Sequence, residues 1–341
     1  MTQVSTDPSY PLVLVADVGG THARFALARL EARGIQITAQ EKFLCHDYAS
    51  FPAVIKAYQE RHADAQNTPM VMAVAAPIIE GEVAAQANMP WPVRQAELRL
   101  LFPQVESHLL NDFVALAHAV PTLTDTDLHN LCTPTSGRRE LGKESVLVMG
   151  PGTGLGAALW CPGAAGQAST VIASEAGHAT WAPVTDTEWA IAGLLRKEFA
   201  HLDVERVLSG PGLMNLYRAT CTLDQQAAQC ATPAEVTAQA VQHLATQTGS
   251  AARAALDHFC GILGSVIGDL CINFGCQRAL LAGGIPSQIV DYLRHSSLQE
   301  RLLTKGVMRS VMEQVQVDVL DHGHLALLGA AQYYREQYAQ H

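Results

Sequence analysis

The stretch that decides the fold is Val13–Leu27, VLVADVGGTHARFAL. An apolar run, Leu12–Val15, leads to Asp17 and a Gly19-Gly20-Thr21 turn, and a second apolar run follows at Phe25–Ala28. Apolar runs flanking a short glycine turn predict strand, turn, strand: a β-hairpin rather than a strand-to-helix loop. Glycines let the backbone come close to a ligand, and successive turn N–H groups can face an anion. Asp17 beside them can hold a divalent cation, directly or through water. Alone, the stretch reads equally well as a plain hairpin.

Two later stretches change that balance. Ser145–Gly150 (SVLVMG) runs through Pro151 into Gly152-Thr153-Gly154-Leu155-Gly156 and then a second apolar run, Ala157–Trp160. Strand Arg278–Ala282 enters Gly283-Gly284. The first two stretches are self-similar, which suggests two halves built on one plan. The set fits a nucleotide held between two domains: two turns take the phosphates from opposite sides, and Gly283-Gly284 lies against the adenosine.

The rest of the chain alternates strands and helices, which predicts α/β architecture. Gly34–Phe43 reads as a third strand of an antiparallel meander, Ser50–Ala63 as a helix, Met70–Ala75 as a buried strand. His108–Leu110 is a short strand leading to Asn111-Asp112, followed by a helix over 113–120 that stops at Pro121. Residues 122–144 are polar and turn-rich, a crossing between domains. Beyond them come a loop at 174–178 (SEAGH) and a helix at Glu188–Ala200 capped by Asp186 or Thr187. A Leu208–Gly212 turn opens a helix through Arg218, and Thr232–Glu235 is a capping-box pattern. Ala251–Asn273 is a long apolar helix; its Arg253, Asp257 and Asp269 favour a core helix over a membrane span. A strand at Val315–Leu320 and a helix at Leu325–Gln337 close the chain.

With 341 residues the chain has length for about two domains. It is 48% hydrophobic and 16% charged, with a formal net charge of −10. That acidity disfavours nucleic acid and anionic membranes as partners, since both need a basic face. It is compatible with ATP, whose phosphates backbone N–H groups and a metal can hold. Residues 1–10 show no export signal, and the eight cysteines are scattered without a CxxC, so a cytoplasmic chain with reduced thiols is expected. Gly137–Glu144 (GRRELGKE) nearly matches the P-loop pattern. Glu144 stands where the magnesium-binding hydroxyl belongs, and a strand follows where a helix should, so the match is accidental.

The order DVGGT, NDF, GTGLG, EAGH, ERVLSGPGL, AGGI resembles the bacterial glucokinase family, within the hexokinase–actin–chaperone ATPase superfamily. The likeness runs from Leu12 to Gly329, and HLLNDFVALAHA (108–119) and ERVLSGPGLMNLYRA (205–219) are its most specific parts. Two departures stand out: His22 in the turn, where relatives are expected to carry Asn, and Asp321–His324 before the last helix.

The resemblance implies a two-domain, actin-like (ribonuclease H-like) α/β ATPase fold with an interdomain cleft. Residues 1–122, completed by 323–341, would form the small domain and 123–322 the large one. The implied activity is transfer of the ATP γ-phosphate to the 6-hydroxyl of D-glucose, the first step of glycolysis, in a cytoplasmic homodimer. Asp112 would be the general base. On spacing alone it serves as well as an N-cap for the following helix, and the two roles are compatible. Asn88, Asn111, Glu175, His178 and Glu205 would bind sugar hydroxyls alongside Asp112, since a polyol needs paired donors and acceptors. Glu175 and His178 also read as a metal pair lacking a third ligand, and Trp91 reads as packing. Asp17, Gly19, Gly20, Thr21, Gly152, Thr153, Gly154, Gly283 and Gly284 would hold ATP, with Mg2+ reached from Asp17 through water.

Rival readings remain. A ROK-type kinase for another hexose or an amino sugar usually carries a cysteine-rich zinc motif after its sugar-binding His; here Cys221 and Cys230 lie too far apart. A non-catalytic sugar sensor would be expected to have lost the base or to carry a DNA-binding extension. A chaperone- or actin-like ATPase would not need Glu175, His178 and Glu205.

Overall fold

In the computed structural model, β1 (Leu12–Val18) and β2 (His22–Glu31) form the expected hairpin, with Leu12 opposite Arg29 and Val18 opposite Ala23. The structure describes residues 11–32, 34–80, 82–83, 89–164, 167–246, 249–320 and 324–338. Next come β3 (Gly34–Leu44), antiparallel to β2, and α1 (Phe51–Arg61), capped by the Ser50 hydroxyl. β4 (Met70–Val74) runs parallel to β1. A small ribbon of β5 (Ile78–Ile79) and β6 (Glu82–Val83) and helix α2 (Gln95–Leu101) lead to β7 (Ser107–Asn111), parallel to β4. Helix α3 (Asp112–His118) follows at once. The sheet order is β3-β2-β1-β4-β7.

The chain continues through β8 (Leu128–Cys132), β9 (Val146–Pro151), β10 (Leu155–Cys161) and β11 (Thr170–Ser174). Helices α4 (Asp186–Leu195), α5 (Gly210–Leu223), α6 (Pro233–Thr246) and α7 (Ala251–Phe274) come next. After β12 (Arg278–Leu281) stand four short helices: α8 (Gly284–Gln288), α9 (Val290–His295), α10 (Leu298–Leu303) and α11 (Arg309–Met312). β13 (Gln316–Leu320) and α12 (Leu325–Tyr338) end the described chain. This sheet has the order β11-β10-β9-β12-β13-β8. β12 is parallel to both β9 and β13, and β8 is antiparallel to β13. Only three residues join β9 to β10, a link that antiparallel neighbours alone allow. Each sheet is thus a hairpin continued by two parallel strands.

Contacts divide the chain into two compact units. One takes the residues up to Leu123, Trp160–Ala173 and the last helix; the other takes Thr124–Leu159 and the chain from Ser174 to the end of β13. The expected domain bounds had left Trp160–Ala173 with the second unit.

Both faces of β1 are buried, which is why it reads as a continuous apolar run. Leu14, Ala16 and Val18 join Phe25, Phe51, Tyr58 and Met70 on one face. Val13 and Val15 meet Leu327, Ala330 and Ala331 of α12 on the other. α12 also crosses α3 closely: a Cβ on Gly329 would stand 1.7 Å from the Ala115 carbonyl oxygen. Near this crossing the Glu336 carboxylate accepts from the Ser169 hydroxyl at 2.6 Å and the Gln332 amide at 2.6 Å, with His118 Nδ1 at 3.4 Å.

In the second unit, α7 is long and apolar enough to cross a membrane, yet 67% of its most apolar window is buried. Gly261, Gly264 and Gly268 let other chain approach it; a Cβ at Gly264 would lie 2.1 Å from the Leu298 carbonyl oxygen of α10. Gly275, at φ +65°, closes the helix by donating its N–H to Cys271 and Ile272 carbonyls.

Several local expectations are corrected. The 122–144 segment holds β8, an unforeseen strand on β13. Its apolar content is only Leu128, Leu131 and Cys132, too little for a pattern. Thr185, not Asp186 or Thr187, caps α4 by accepting the Glu188 N–H, and α4 ends at Leu195 rather than Ala200. The Gly137–Glu144 segment closes the amino ends of β12 and β13. Arg139 donates its N–H to Gln316 Oε1 at 2.7 Å and accepts Arg278 Nη1 at 2.6 Å. Arg278 and Asp318, both buried, pair at 2.9 Å beneath it. The glycine turns after β9 and β12 lie at the opposite, carboxyl ends of those strands.

Candidate active site

In open α/β sheets, ligands bind beyond the carboxyl ends of the parallel strands. In the first unit Val18 pairs with Val74, and Val74 pairs with Asn111, so β1, β4 and β7 end in one row. Two strand spacings, about 10 Å, separate β1 from β7 along that row. The glycine turn after Val18 and Asp112 after Asn111 therefore leave the same edge of one sheet.

The turn is closed by the Gly19 N–H donating to the His22 carbonyl at 2.9 Å. Cys45 braces it, its N–H on the Thr21 carbonyl at 2.9 Å and its thiol on the Gly19 carbonyl at 3.4 Å. Asp17 is half-buried, with Oδ2 3.2 Å from Arg24 Nη1 directly across the hairpin. Arg24 in turn faces Lys42 on β3. Desolvation, then the charges of Lys42, Arg24 and His46, hold the His22 imidazole below its ordinary value. This cluster of cations beside the turn escaped the sequence reading. Its signal was the period-two placement of His22 and Arg24 on one face of β2.

Asn111, not Asp112, caps α3. Its Oδ1 accepts the N–H groups of Phe113 at 2.9 Å and Val114 at 3.2 Å, and its Nδ2 donates to the Ala76 carbonyl at 3.1 Å. The reading of Asp112 as the N-cap is thereby overturned: Asp112 is the first residue of the helix, with Oδ1 2.9 Å from the Phe113 nitrogen. Two consecutive cap-capable residues leave this choice open in sequence. Trp91 is packing, stacked on Phe51 at 5.6 Å with its indole N–H on the Cys45 and Tyr48 carbonyls. Asn88 lies outside the described residues.

In the second unit, the Gly152 N–H donates to the Gly154 carbonyl at 2.8 Å, and the Gly210 N–H to the Gly152 carbonyl at 2.7 Å. Leu155 is held from two sides. Glu205 Oε2 accepts its N–H at 2.8 Å, and Gly177 packs on its carbonyl so tightly that a Cβ would stand 2.4 Å away. A Cβ on Gly154 would lie 2.6 Å from the same Glu205 oxygen. The structure thus brings Glu205, the Glu175–His178 loop and the Gly152-Thr153-Gly154 turn together around one residue.

The ERVLSGPG segment folds as it does for local reasons. Ser209 caps α5 by accepting the Gly212 N–H at 2.9 Å and donates its hydroxyl to the Glu205 carbonyl at 2.8 Å. Gly212 must be glycine because a Cβ would come within 2.7 Å of the Val207 carbonyl carbon. Gly283 has φ +94° and ψ 164°, a conformation essentially confined to glycine. A Cβ there would meet the Pro151 carbonyl oxygen at 2.9 Å, so Gly283-Gly284 also sits against the end of β9.

Glu175 and His178 are exposed and Glu205 is half-buried. Asp203, which sequence reasoning did not single out, is nearly buried, with Oδ2 3.6 Å from His178 Nδ1. Among the described residues no three His, Cys, Asp or Glu side chains cluster as a metal site. The metal-pair reading of Glu175 and His178 therefore finds no third ligand there.

One plan used twice, a hairpin with a glycine turn continued by parallel strands, defines the actin-like ATPase fold of the sugar kinases. A family profile described as glucokinase matches residues 14–337. The glucokinase-like protein of Xylella fastidiosa is 34% identical over 332 residues, covering 96% of each chain. The glucokinase of Marinobacter nauticus is 35% identical over 320 residues, 94% of this chain and 96% of that one. The crystal structure of a glucokinase from an Antarctic psychrotroph matches with a TM-score of 0.80 and 32% identity, over 95% of this chain and 99% of that one. The chain belongs to the glucokinase family and is a sugar kinase.

Proposed function

We propose that the protein phosphorylates D-glucose on its 6-hydroxyl with ATP. Asp112 takes the hydroxyl proton as the oxygen attacks the γ-phosphorus. The observation that carries this role is position: Asn111 caps α3, and Asp112, the first residue of that helix, leaves the same sheet edge as the Asp17 turn. Glu175, His178, Glu205 and the remaining amide N–H of Asn111 bind sugar hydroxyls, and Asn88 joins them.

Phosphoryl transfer needs charge neutralisation more than covalent chemistry. Backbone N–H groups of the Gly19-Gly20-Thr21 and Gly152-Thr153-Gly154 turns supply part of it, from Gly20, Thr21, Thr153 and Gly154, since the Gly19 and Gly152 N–H groups close the turns themselves, with Gly283 and Gly284 against the adenosine. Arg24 and Lys42 add positive charge beside the first turn. Mg2+ fits this site as a nucleotide-borne ion. Asp17 already faces Arg24 at 3.2 Å, which suits contact through a water better than direct ligation. The bound ion would neutralise phosphate charge. The two compact units correspond to the small and large domains of such a kinase.

The test is ADP release over a panel of hexoses, with Asp112→Asn alongside. Glucose-dependent turnover that the substitution abolishes is expected. Sugar-independent hydrolysis, or a fully active Asp112→Asn, would sink the proposal.

A further inference from the structure

We propose that Asp203 is a positioning residue that fixes the tautomer of His178, so that this part of the sugar site is built wholly of hydrogen-bond acceptors. The inference rests on the reading that His178 contacts sugar.

Asp203 is rigidly placed. Its side chain is 10% exposed, and its Oδ1 accepts the Arg206 N–H at 3.0 Å. Around it the Val204 N–H donates to the Ala179 carbonyl at 2.9 Å, and the Trp181 N–H to the Leu202 carbonyl at 3.0 Å. The His178 backbone is equally fixed: its N–H donates to the Glu175 carbonyl at 2.9 Å, and its own carbonyl accepts from His201 Nε2 at 3.1 Å. Among the described residues, two charged or titratable groups face the Asp203 carboxylate. The Arg206 guanidinium stands 3.9 Å from Oδ1 and also lies over the Phe199 ring. His178 Nδ1 stands 3.6 Å from Oδ2. The backbone cap and Arg206 engage one oxygen, and the other is turned to the imidazole.

An ionised carboxylate only accepts. The nitrogen facing it therefore carries the ring proton, which leaves Nε2 of the neutral imidazole with a lone pair. The 3.6 Å separation is a few tenths of an ångström beyond a hydrogen bond, and the half-exposed ring has the freedom to close it. Catalytic-site hydrogen bonds commonly tighten when ligand binds.

Glu175, Glu205 Oε1 and His178 Nε2 would then all be acceptors. Such a site takes ligand groups that donate, which means free hydroxyls. It turns lone pairs against a ligand that presents an acyl carbonyl, a carboxylate or a phosphate at the same places. The substrate class is a neutral sugar with unmodified hydroxyls, and an N-acylated or anionic sugar is excluded by the same set.

Asp203→Asn tests this while sparing the cap, because the amide keeps one oxygen for the Arg206 N–H. Its NH2 then faces Nδ1 and selects the opposite tautomer. The ring-nitrogen NMR shifts of His178, read in the sugar-free protein above about pH 8, are expected to show a proton on Nδ1 in the wild type and on Nε2 in the variant. The glucose KM is expected to rise about tenfold, more than kcat falls. The deoxyfluoro-glucose whose fluorine replaces the hydroxyl at His178 should lose less against glucose in the variant, because fluorine accepts and cannot donate. A wild-type spectrum with the proton on Nε2 overturns the inference, and does so even if the variant fails to fold. So does a variant with unchanged tautomer and unchanged analogue ratios. If instead His178→Ala leaves every hexose KM unaltered, the sugar role of His178 fails and the acceptor claim falls with it, while the spectrum still reports on Asp203.

Discussion

The two glycine turns follow one plan and are supported in different ways. The Gly19-Gly20-Thr21 turn rests on near neighbours in its own meander: His22 closes it, Cys45 braces it, and Arg24 faces Asp17 across the hairpin. The Gly152-Thr153-Gly154 turn is held by segments far along the chain: Gly210 on Gly152, Glu205 on Leu155, Gly283 on Pro151. Local support leaves the first turn free to be shaped by its own charges. Long-range support ties the second turn to the residues proposed to hold sugar. Glu205 links the two, since its carboxylate accepts a turn N–H and the same residue is proposed to bind sugar.

The largest effect is expected at Asp112, the proposed general base. Asp112→Asn should lower kcat by about 10²- to 10⁴-fold while the glucose KM and the melting temperature stay near wild type. The temperature should hold because Asn111 carries the cap. Asn111→Ala is the converse: it should cost about 1 kcal/mol of stability through the lost cap. A large fall in melting temperature for Asp112→Asn would mean its role is structural.

Next come the glycines, which separate the two kinds of support. Gly283→Ala would force a side chain into a glycine-only conformation and against the Pro151 carbonyl. It should cost about 3 kcal/mol, measured by denaturant unfolding. Gly154→Ala meets only the flexible end of Glu205, 2.6 Å away. The carboxylate must swing off the Leu155 N–H, so stability should fall by about 1 kcal/mol while the glucose KM rises. Gly19→Ala has ordinary space, its nearest neighbour being the His22 oxygen at 3.7 Å. It should leave stability unchanged and raise the ATP KM, because the methyl group stands where the backbone is to approach phosphate. Equal effects on glucose KM for Gly19→Ala and Gly154→Ala would erase the proposed difference between the turns.

These contrasts also explain what was legible in the sequence. β1, β4 and β9 were plain because strands buried on both faces write continuous apolar runs. The hairpin nature of both turns followed from apolar runs a few residues apart. β8 was not legible: it lies at the sheet edge with little apolar content, and its register on β13 is set by partners such as Asp318 that are distant in sequence. The candidate site was readable only as residue types in an order that resembles the family's, through Asp17, Asp112, Glu175, His178 and Glu205, whose roles are proposed above. What held them was not. Asn111 and Asp112 are both good cap residues, and only the folded backbone decides between them. The approach of Glu205 to Leu155 crosses fifty positions of chain, and no local pattern announces it. The Arg24–Asp17 and Arg24–Lys42 pairs were within reach, since strand registry follows once the hairpin is accepted.

The smallest effect concerns the back of the first turn. β1 is buttressed by α12, and α12 is pinned near its end by Glu336. Burial pushes the Glu336 carboxyl up, but His118, Ser169 and Gln332 around it outweigh that and hold it below its ordinary value. A carboxyl lowered on folding stabilises the folded state above its unfolded value, about 4.3, and the benefit is lost as pH falls through the folded value. Protection of the β1 amides, taken relative to the intrinsic exchange rate at each pH, should therefore fall more than that of the β9 amides as the pH is lowered from about 5 to about 3.5. Glu336→Gln, which cannot ionise, should remove that extra acid sensitivity of β1 and leave β9 as it was. If β1 in Glu336→Gln still loosens with acid as it does in the wild type, the proton is being taken up elsewhere, and the support of the first turn does not depend on this carboxylate.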